Sequence, residues 1–213
     1  MTIPAFLLPL QRTNSPAPVG AAARAGSAGG GEQSLSGFSM QQQQQTEWCW
    51  AAVSTSVAAF FGSTAWTQCR VAAAELSPLN CCGADAGNGC NQPWYLDAAL
   101  ARVGHFSRID AANSPFSVVQ TEIDQGHPLG CRIAWVGGGA HFVALGGWLV
   151  AADGTQYVRV YDPYYGFKET SYSGFVSAYH TEGDSWTHSY FTLAVPQAGL
   201  AGGGPPANSP KNA

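Results

Sequence analysis

Three residues of the chain are suited by type to nucleophilic acyl chemistry: Cys49, His141 and Asp162. A cysteine thiolate attacks a carbonyl carbon, and an imidazole is needed to take the proton and return it. A carboxylate that holds one imidazole nitrogen fixes the tautomer and the orientation of the ring. The three residues are far apart in the sequence, so the prediction of a triad depends on the elements that carry them.

Cys49 is predicted to lie at or near the N-terminus of a buried helix. Cys49, Val53 and Val57 fall on one helical face, alanines occupy much of the remaining surface, and Gly62 provides a stop. A helix N-terminus favours a thiolate and offers N–H groups to an oxyanion that forms beside the sulfur. The alternative is that Cys49 is a small apolar core residue packed between two tryptophans.

His141 and Asp162 are predicted to lie at one end of a β-hairpin. The apolar, β-prone run that begins with His141 ends in the turn signal Asp153-Gly154. A second strand, over about residues 157–161, then returns along the first. Asp162 therefore reaches the level of His141, although alone it would be an ordinary turn residue before a proline. The other histidines lack a distinctive partner and are predicted to be structural or surface residues: His105, His127, His180 and His188, with His188 the next to test.

A cluster of cysteines is predicted to form two local disulfides. It consists of Cys69, Cys81, Cys82 and Cys90. A bond between the two adjacent cysteines is disfavoured by strain, but the sequence does not choose a pairing. A structural zinc site is one alternative, which the spacing disfavours because zinc thiolates usually come in pairs two to four residues apart. Reduced thiols are the other alternative. Cys131 lies in an apolar run and is predicted to be a buried free thiol.

Helix signals come before strand signals along the chain, which predicts an α+β fold. Besides the helix at Cys49, start and stop signals predict helices at residues 91–104 and 114–126. Strands are predicted at residues 129–136, 141–150, 156–161 and 187–195. The predicted architecture is a helical half, which contains the buried nucleophile helix, packed on an antiparallel β-sheet half.

The composition narrows the class of protein. The chain has 213 residues, of which 46% are hydrophobic and only 10% are charged, against roughly 25% charged in a typical soluble domain. The net charge is -4 and no basic run is present, which argues against nucleic acid as a partner. No apolar run is long enough for membrane insertion. The few charges and clustered cysteines favour a secreted or exported protein. We also expect the protein to be a monomer. The first residues lack the basic region of a signal peptide, so a non-classical export route is considered.

The composition also divides the chain into three segments. Residues 1–40, rich in Pro, Ala, Gly and Ser, are predicted to be a disordered leader or a propeptide-like segment. Residues 41–196 are predicted to form the catalytic domain. Residues 197–213 are predicted to be a disordered tail rich in Gly and Pro.

Three short motifs together resemble the papain-like cysteine peptidases. They are a glutamine, a polar stretch and Trp-Cys49-Trp-Ala-Ala; then Gly-Ala-His141-Phe-Val-Ala-Leu-Gly-Gly; then Val-Tyr-Asp162-Pro. In this order they are most similar to a bacterial branch that includes the type III effector proteases of plant pathogens. The interval between Cys49 and His141 is shorter than the roughly 130–150 residues of papain itself, so the resemblance implies a trimmed version of that fold.

The resemblance implies a peptidase that works through an acyl-enzyme intermediate. In the family's scheme Cys49 is the nucleophile, His141 is the base and acid, and Asp162 orients the imidazole. The family's oxyanion glutamine maps onto Gln43, and the next two glutamines of the polyglutamine run remain alternatives. No metal or organic cofactor is needed, and the partner is a protein or peptide substrate.

Two other functions remain open on the sequence. A transglutaminase, deamidase or acyltransferase toxin would use the same triad. An exported, disulfide-stabilised binding module would have no catalytic use for Cys49. Aromatic residues that are candidates for a substrate cleft are Trp48, Trp94 and Tyr164, although core packing explains aromatic residues equally well.

Overall fold

A computed structural model of the chain describes residues 30–83 and 89–195. Over these residues the chain forms five α-helices and one antiparallel sheet of seven strands. The predicted α+β class is therefore confirmed. The predicted tail and residues 1–29 of the predicted leader lie outside the described residues.

Helices and strands are interspersed along the described part of the chain. The helices are α1 (Cys49–Phe60), α2 (Gln68–Glu75), α3 (Leu96–Arg102), α4 (Phe116–Asp124) and α5 (Tyr172–Ser177). The strands are β1 (Glu32–Ser34), β2 (Phe106–Asp110), β3 (Leu129–Ala134), β4 (Ala140–Val150), β5 (Gln156–Asp162), β6 (Gly166–Ser171) and β7 (Ser185–Thr192). The strand order is β2-β7-β3-β4-β5-β6, and β1 pairs with the far end of β4.

Helix α1 begins at Cys49, as predicted, and almost its whole length is buried. Alanines and valines let neighbouring elements approach it closely. Its three consecutive hydroxyl residues donate hydrogen bonds to carbonyls in the preceding turn, which satisfies polar groups that would otherwise be costly to bury: Ser54, Thr55 and Ser56. The helix is thus a rigid buried support for the cysteine at its start.

The predicted hairpin is also present, as β4 and β5. Gly154 in its turn has φ of 85°, a left-handed conformation that glycine adopts readily. Ala144 lies opposite Tyr161 in the register, so Asp162 at the end of β5 comes level with the first residues of β4. His141 is the second residue of β4.

The predicted start of the folded domain at residue 41 is too late. Strand β1 pairs with β4, and Leu35 and Phe38 are buried in the core. A Cβ atom on Gly146 would lie 2.9 Å from Phe38 and 2.7 Å from Tyr161, so the glycine permits this close packing. A strand of three residues beside a segment rich in Gly and Ser carries too weak a signal to be recognised in the sequence.

Other differences concern the boundaries and number of elements. Helix α3 begins at Leu96 rather than at residue 91, because residues 89–92 are engaged with the loop that leads into α1. Helices α2 and α5 and strands β2 and β6 were not predicted. Among the described residues, no helix combines the length and the apolar character needed to cross a membrane.

Candidate active site

The structure brings Cys49, His141 and Asp162 together. His141 Nε2 lies 2.8 Å from Asp162 Oδ1. Cys49 lies close enough to the imidazole to take part in raising its pKa. All three residues are buried, with exposed fractions of 8% for Cys49, 7% for His141 and 2% for Asp162. The sulfur belongs to the first residue of α1, where backbone N–H groups have no partner within the helix.

Asp162 is surrounded by hydrogen-bond donors. Besides the imidazole, its Oδ1 accepts from the backbone N–H of Tyr164 at 2.7 Å and of Tyr165 at 2.9 Å. Its Oδ2 accepts from the hydroxyl of Tyr179 at 2.9 Å. Burial alone would raise the pKa of Asp162, but the bond and charge of His141 and the two N–H groups together hold this pKa below its ordinary value. The carboxylate is therefore ionised at neutral pH.

His141 is a strong base in this position. Burial lowers its pKa, but the hydrogen bonds and negative charges of Asp162 and Cys49 outweigh burial and raise the pKa to about 9. The imidazole is thus protonated at neutral pH beside the sulfur. Such an arrangement stores a proton next to a nucleophile and can release it to a leaving group.

Aromatic rings enclose the His141 imidazole. The Trp135 ring stacks on His141 with centroids 5.8 Å apart and an interplanar angle of 18°. The Tyr165 ring meets the imidazole edge-on at 6.2 Å. These contacts restrict rotation of the imidazole and keep apolar surface beside its bond to Asp162.

The loop of residues 41–48 that precedes α1, here named the entry loop, contains Gln43. The Gln43 backbone N–H donates to Pro163 O at 2.9 Å, which joins the entry loop to the residue after Asp162. Its side-chain Nε2 donates to the carbonyls of Gln45 at 3.0 Å and Thr46 at 2.7 Å. Both amide protons are thus engaged, so one of these bonds must open before Gln43 can donate to an oxyanion.

Gln68 at the start of α2 fixes the course of the entry loop. Its buried side chain donates to Gln42 O at 2.9 Å and accepts from the Gln44 backbone N–H at 2.9 Å. The Gln44 side chain is exposed, whereas that of Gln43 is half-buried and folds back onto the carbonyls of Gln45 and Thr46.

The clustered cysteines form two disulfides in the structure: Cys69–Cys82 and Cys81–Cys90. This pairing leaves none of the four as a thiolate for zinc. The free cysteines of the described residues are Cys49 and Cys131, and both are buried. Burial raises the pKa of Cys131 well above its ordinary value, which makes its thiol unreactive.

Residues 89–92, here named the tied loop, hold the entry loop in place. Asn91 Oδ1 accepts from the Glu47 backbone N–H at 2.9 Å, and Asn91 Nδ2 donates to Thr46 Oγ1 at 2.9 Å. The Trp48 indole N–H donates to Cys90 O at 2.7 Å. The tied loop therefore controls the position of the residues immediately before Cys49.

The aromatic cleft candidates differ in exposure. Trp48 is only 1% exposed and its indole N–H is already bonded, so it cannot line a cleft and is a core residue. Trp94 is partly buried and donates to Glu75 Oε2 at 2.9 Å, which links it to α2. Tyr164 is 56% exposed and directly follows the Asp162-Pro163 turn, so it is the most accessible of the three. His188, the next histidine to test, lies on β7, where its Nδ1 forms a hydrogen bond with Thr187 Oγ1 at 3.0 Å.

Sequence reasoning missed the residues that support the site from outside its motifs. Tyr179 and Trp135 lie in loops that follow α5 and β3, and no local pattern connects them to Asp162. Asn91 is the first residue of the helix predicted at residues 91–104, although its position directly after the clustered cysteine Cys90 is a usable signal. Gln68 was overlooked because a single glutamine before an alanine-rich run has no distinctive pattern.

Comparison with known proteins identifies the family. A family model described as the papain-like cysteine protease AvrRpt2 matches residues 34–180, which is more than half of the chain. The match includes Cys49, His141 and Asp162, and it confirms the resemblance to the type III effector proteases. No curated protein matches the chain. The chain belongs to the family of the papain-like cysteine protease AvrRpt2.

Proposed function

We propose that the protein is a cysteine peptidase that cleaves peptide bonds through Cys49, His141 and Asp162. The observation that carries the proposal is an imidazole that is hydrogen-bonded to a buried carboxylate and lies near a buried thiol at the start of a helix. Membership of a cysteine protease family supports it. This arrangement is the one that acyl transfer by a thiol requires.

The first half of the reaction forms an acyl-enzyme. The Cys49 thiolate attacks the carbonyl carbon of the scissile amide, and the negative charge moves to the carbonyl oxygen. The Cys49 backbone N–H and the Gln43 amide, once released from a loop carbonyl, donate hydrogen bonds to this oxyanion. The His141 imidazolium then gives its proton to the leaving nitrogen, the C–N bond breaks and a thioester remains on Cys49.

The second half releases the acid product. A water molecule attacks the thioester carbonyl while neutral His141 takes one of its protons. The C–S bond breaks, and the carboxylic acid product leaves with the thiolate and imidazolium restored. Asp162 keeps the imidazole in one orientation through both halves. None of these steps uses a metal or an organic cofactor.

The substrate is proposed to be a protein or an extended peptide, since the family is one of proteases. We also propose that the protein acts after export from the cell that makes it. The two disulfides and the effector family support export, because disulfides persist in oxidising compartments.

The test compares two cysteine variants, Cys49→Ala and Cys131→Ala. Both remove a buried free thiol, but only Cys49 is among the groups that raise the pKa of the imidazole. Cleavage of a peptide library, followed by mass spectrometry, should fall on the order of 10³-fold or more in Cys49→Ala. Cys131→Ala should cleave at close to the wild-type rate, and thermal melting checks that both variants are folded.

Two results would contradict the proposal. Wild-type cleavage by a folded Cys49→Ala protein would remove this residue from the reaction. Peptides that become joined to added amines, with little hydrolysis, would instead identify an acyltransferase that uses the same three residues.

A further inference from the structure

A tyrosine outside the sequence motifs completes the surroundings of Asp162. Tyr179 is 1% exposed, and its hydroxyl lies 2.9 Å from Asp162 Oδ2. Asp162 Oδ1 accepts from three other donors, which are the His141 imidazole and two backbone N–H groups. Tyr179 is the donor that the described residues provide for the other oxygen. Because both carboxylate oxygens are now held by donors, the orientation of the carboxylate plane is fixed.

The Tyr179 side chain is itself held firmly. The Phe175 ring packs edge-on against it at 5.3 Å, and the Trp135 ring stacks on it at 6.5 Å with an angle of 17°. Lys168 Nζ donates to Tyr179 O at 2.8 Å and lies 5.0 Å from the centre of the ring. Trp135 stacks on both His141 and Tyr179, so the imidazole and the phenol share one aromatic wall.

The hydroxyl remains a donor across the working pH range. Burial and the nearby charge of Asp162 raise the pKa of Tyr179 far above its ordinary value. A protonated phenol has a single O–H group, and here this group is directed at the carboxylate. Hydrogen bonds from a neutral donor to a buried carboxylate are among the stronger ones in proteins.

We propose that Tyr179 is a positioning residue that keeps the Asp162 carboxylate ionised and in the plane that supports His141. The proposal rests on the proposed function, because it assigns to Tyr179 an action on the imidazole that serves Cys49. Tyr179 touches neither the sulfur nor a substrate in this role. Its effect reaches the reaction through Asp162.

Several other titratable groups surround this pair and must be considered in any pH experiment. Those that interact with Asp162, Tyr179 or the imidazole come from α1, β3, β4, β6 and the loops after β5 and α5: Cys49, Cys131, His141, Lys168, Tyr165, His180 and Asp184. Burial lowers the pKa of His180, so it is largely neutral at pH 7. Asp184 bonds to Val136 N and Thr181 N, which lower its pKa although burial opposes them. These groups are unchanged in the variants compared below.

The test variant is Tyr179→Phe, which deletes one oxygen and keeps the ring. Its matched control is Tyr172→Phe, which deletes a hydroxyl that donates to Ser114 O at 2.8 Å. Loss of the Tyr179 hydroxyl should lower kcat/KM roughly tenfold to a hundredfold. It should also move the acid limb of the pH profile to higher pH, because an Asp162 with one donor fewer takes up a proton more readily. The control should change neither quantity.

A double-mutant cycle tests whether Tyr179 acts through Asp162. In an Asp162→Asn background, Tyr179→Phe should change kcat/KM by less than about twofold, because the carboxylate that the hydroxyl supports is gone. A full loss in that background would overturn the proposed role. Rates for Tyr179→Phe and wild type that coincide at every pH would overturn it as well.

A second readout separates this proposal from the proposed function. The rate at which iodoacetamide alkylates Cys49 reports the state of the thiol and the imidazole without any peptide cleavage. Its acid limb should move to higher pH in Tyr179→Phe even if no peptide is a substrate, and an unmoved limb would overturn the proposal. If Tyr179→Phe does not fold, NMR of the wild-type protein should show a slowly exchanging Tyr179 hydroxyl proton. A rapidly exchanging proton would overturn the proposal.

Discussion

The proton on His141 is stabilised from both sides, by Asp162 and by Cys49. With a pKa of about 9, the imidazole loses this proton as the pH rises through that value. We therefore expect kcat/KM to fall on the alkaline side near pH 9, measured with a peptide whose own groups do not titrate there. In Asp162→Asn this limb should move to lower pH by roughly one to two units, since one negative neighbour is lost. A limb that did not move would show that Asp162 does not act on the imidazole.

The same titration affects the stability of the fold. A histidine whose folded pKa is raised contributes stability that is complete below its ordinary pKa of 6.5 and is lost as the pH rises through about 9. Asp162 has the opposite sign: its contribution is complete above its ordinary pKa of 3.8 and disappears as the pH falls through its lower folded value. The two residues therefore contribute their full stabilisation between about pH 3.8 and pH 6.5.

At the scale of single residues, the sequence predicts only what local patterns carry. Cys49 is marked by helical periodicity, and His141 and Asp162 are marked by the turn that pairs their strands. Tyr179 carries no such mark, because its contact with Asp162 arises only when the loop after α5 returns to the end of β5. For Trp48 the sequence leaves cleft and core open, because an aromatic residue beside a reactive cysteine looks the same in sequence whether it is buried or exposed; the structure places it in the core.

Among the elements, the tied loop connects a disulfide to the residues that directly precede Cys49. The Cys81–Cys90 bond anchors the residue whose carbonyl accepts from Trp48, while the next residue, Asn91, holds the entry loop. Removing this bond as Cys81→Ser/Cys90→Ser should reduce kcat/KM through displacement of the entry loop. The matched control is Cys69→Ser/Cys82→Ser, which removes the other bond.

The two disulfides close loops of similar length, with separations of 9 and 13 residues. Loop-closure entropy therefore gives each about 2.5–3 kcal/mol of stabilisation, so the two double variants should melt at similar temperatures. A larger loss of kcat/KM in the Cys81/Cys90 variant would then report position rather than stability. Equal losses in both variants would contradict a specific role for the tied loop.

The elements that were predicted differ physically from those that were missed. Helices α1 and α4 and the β4–β5 hairpin have apolar periodicity or a strong turn signal. Strands β2 and β6 are largely exposed, so no buried face marks them in the sequence. The start of α3 was misplaced because the disulfide partner and the contacts of the tied loop are properties of the folded chain.

For the whole molecule, the site lies where two halves meet. Cys49 belongs to the helical half, and His141 and Asp162 belong to the sheet. Residues 30–40 pack across this junction, because β1 pairs with β4 while Phe38 contacts the Phe60 ring of α1 and the Tyr161 ring of β5. The N-terminal segment of the domain therefore helps to hold Cys49 and His141 at a fixed separation.

A comparison of two truncated chains tests this contribution. A chain that begins at Gln41 loses β1, the buried side chains of Leu35 and Phe38, and the bonds from Arg159 to Glu32 and Ser34. Burial of the two apolar side chains contributes about 3–6 kcal/mol, a large part of the roughly 5–15 kcal/mol that stabilises a typical domain. Thermal melting should therefore show this chain strongly destabilised or unfolded, whereas a chain that begins at Gly30 retains these contacts and should melt near the full-length temperature. Phe38→Ala in the full-length chain, expected to cost about 3–5 kcal/mol, controls for the truncation itself. Equal melting temperatures for the chains that begin at Gln41 and at Gly30 would show that residues 30–40 do not stabilise the junction.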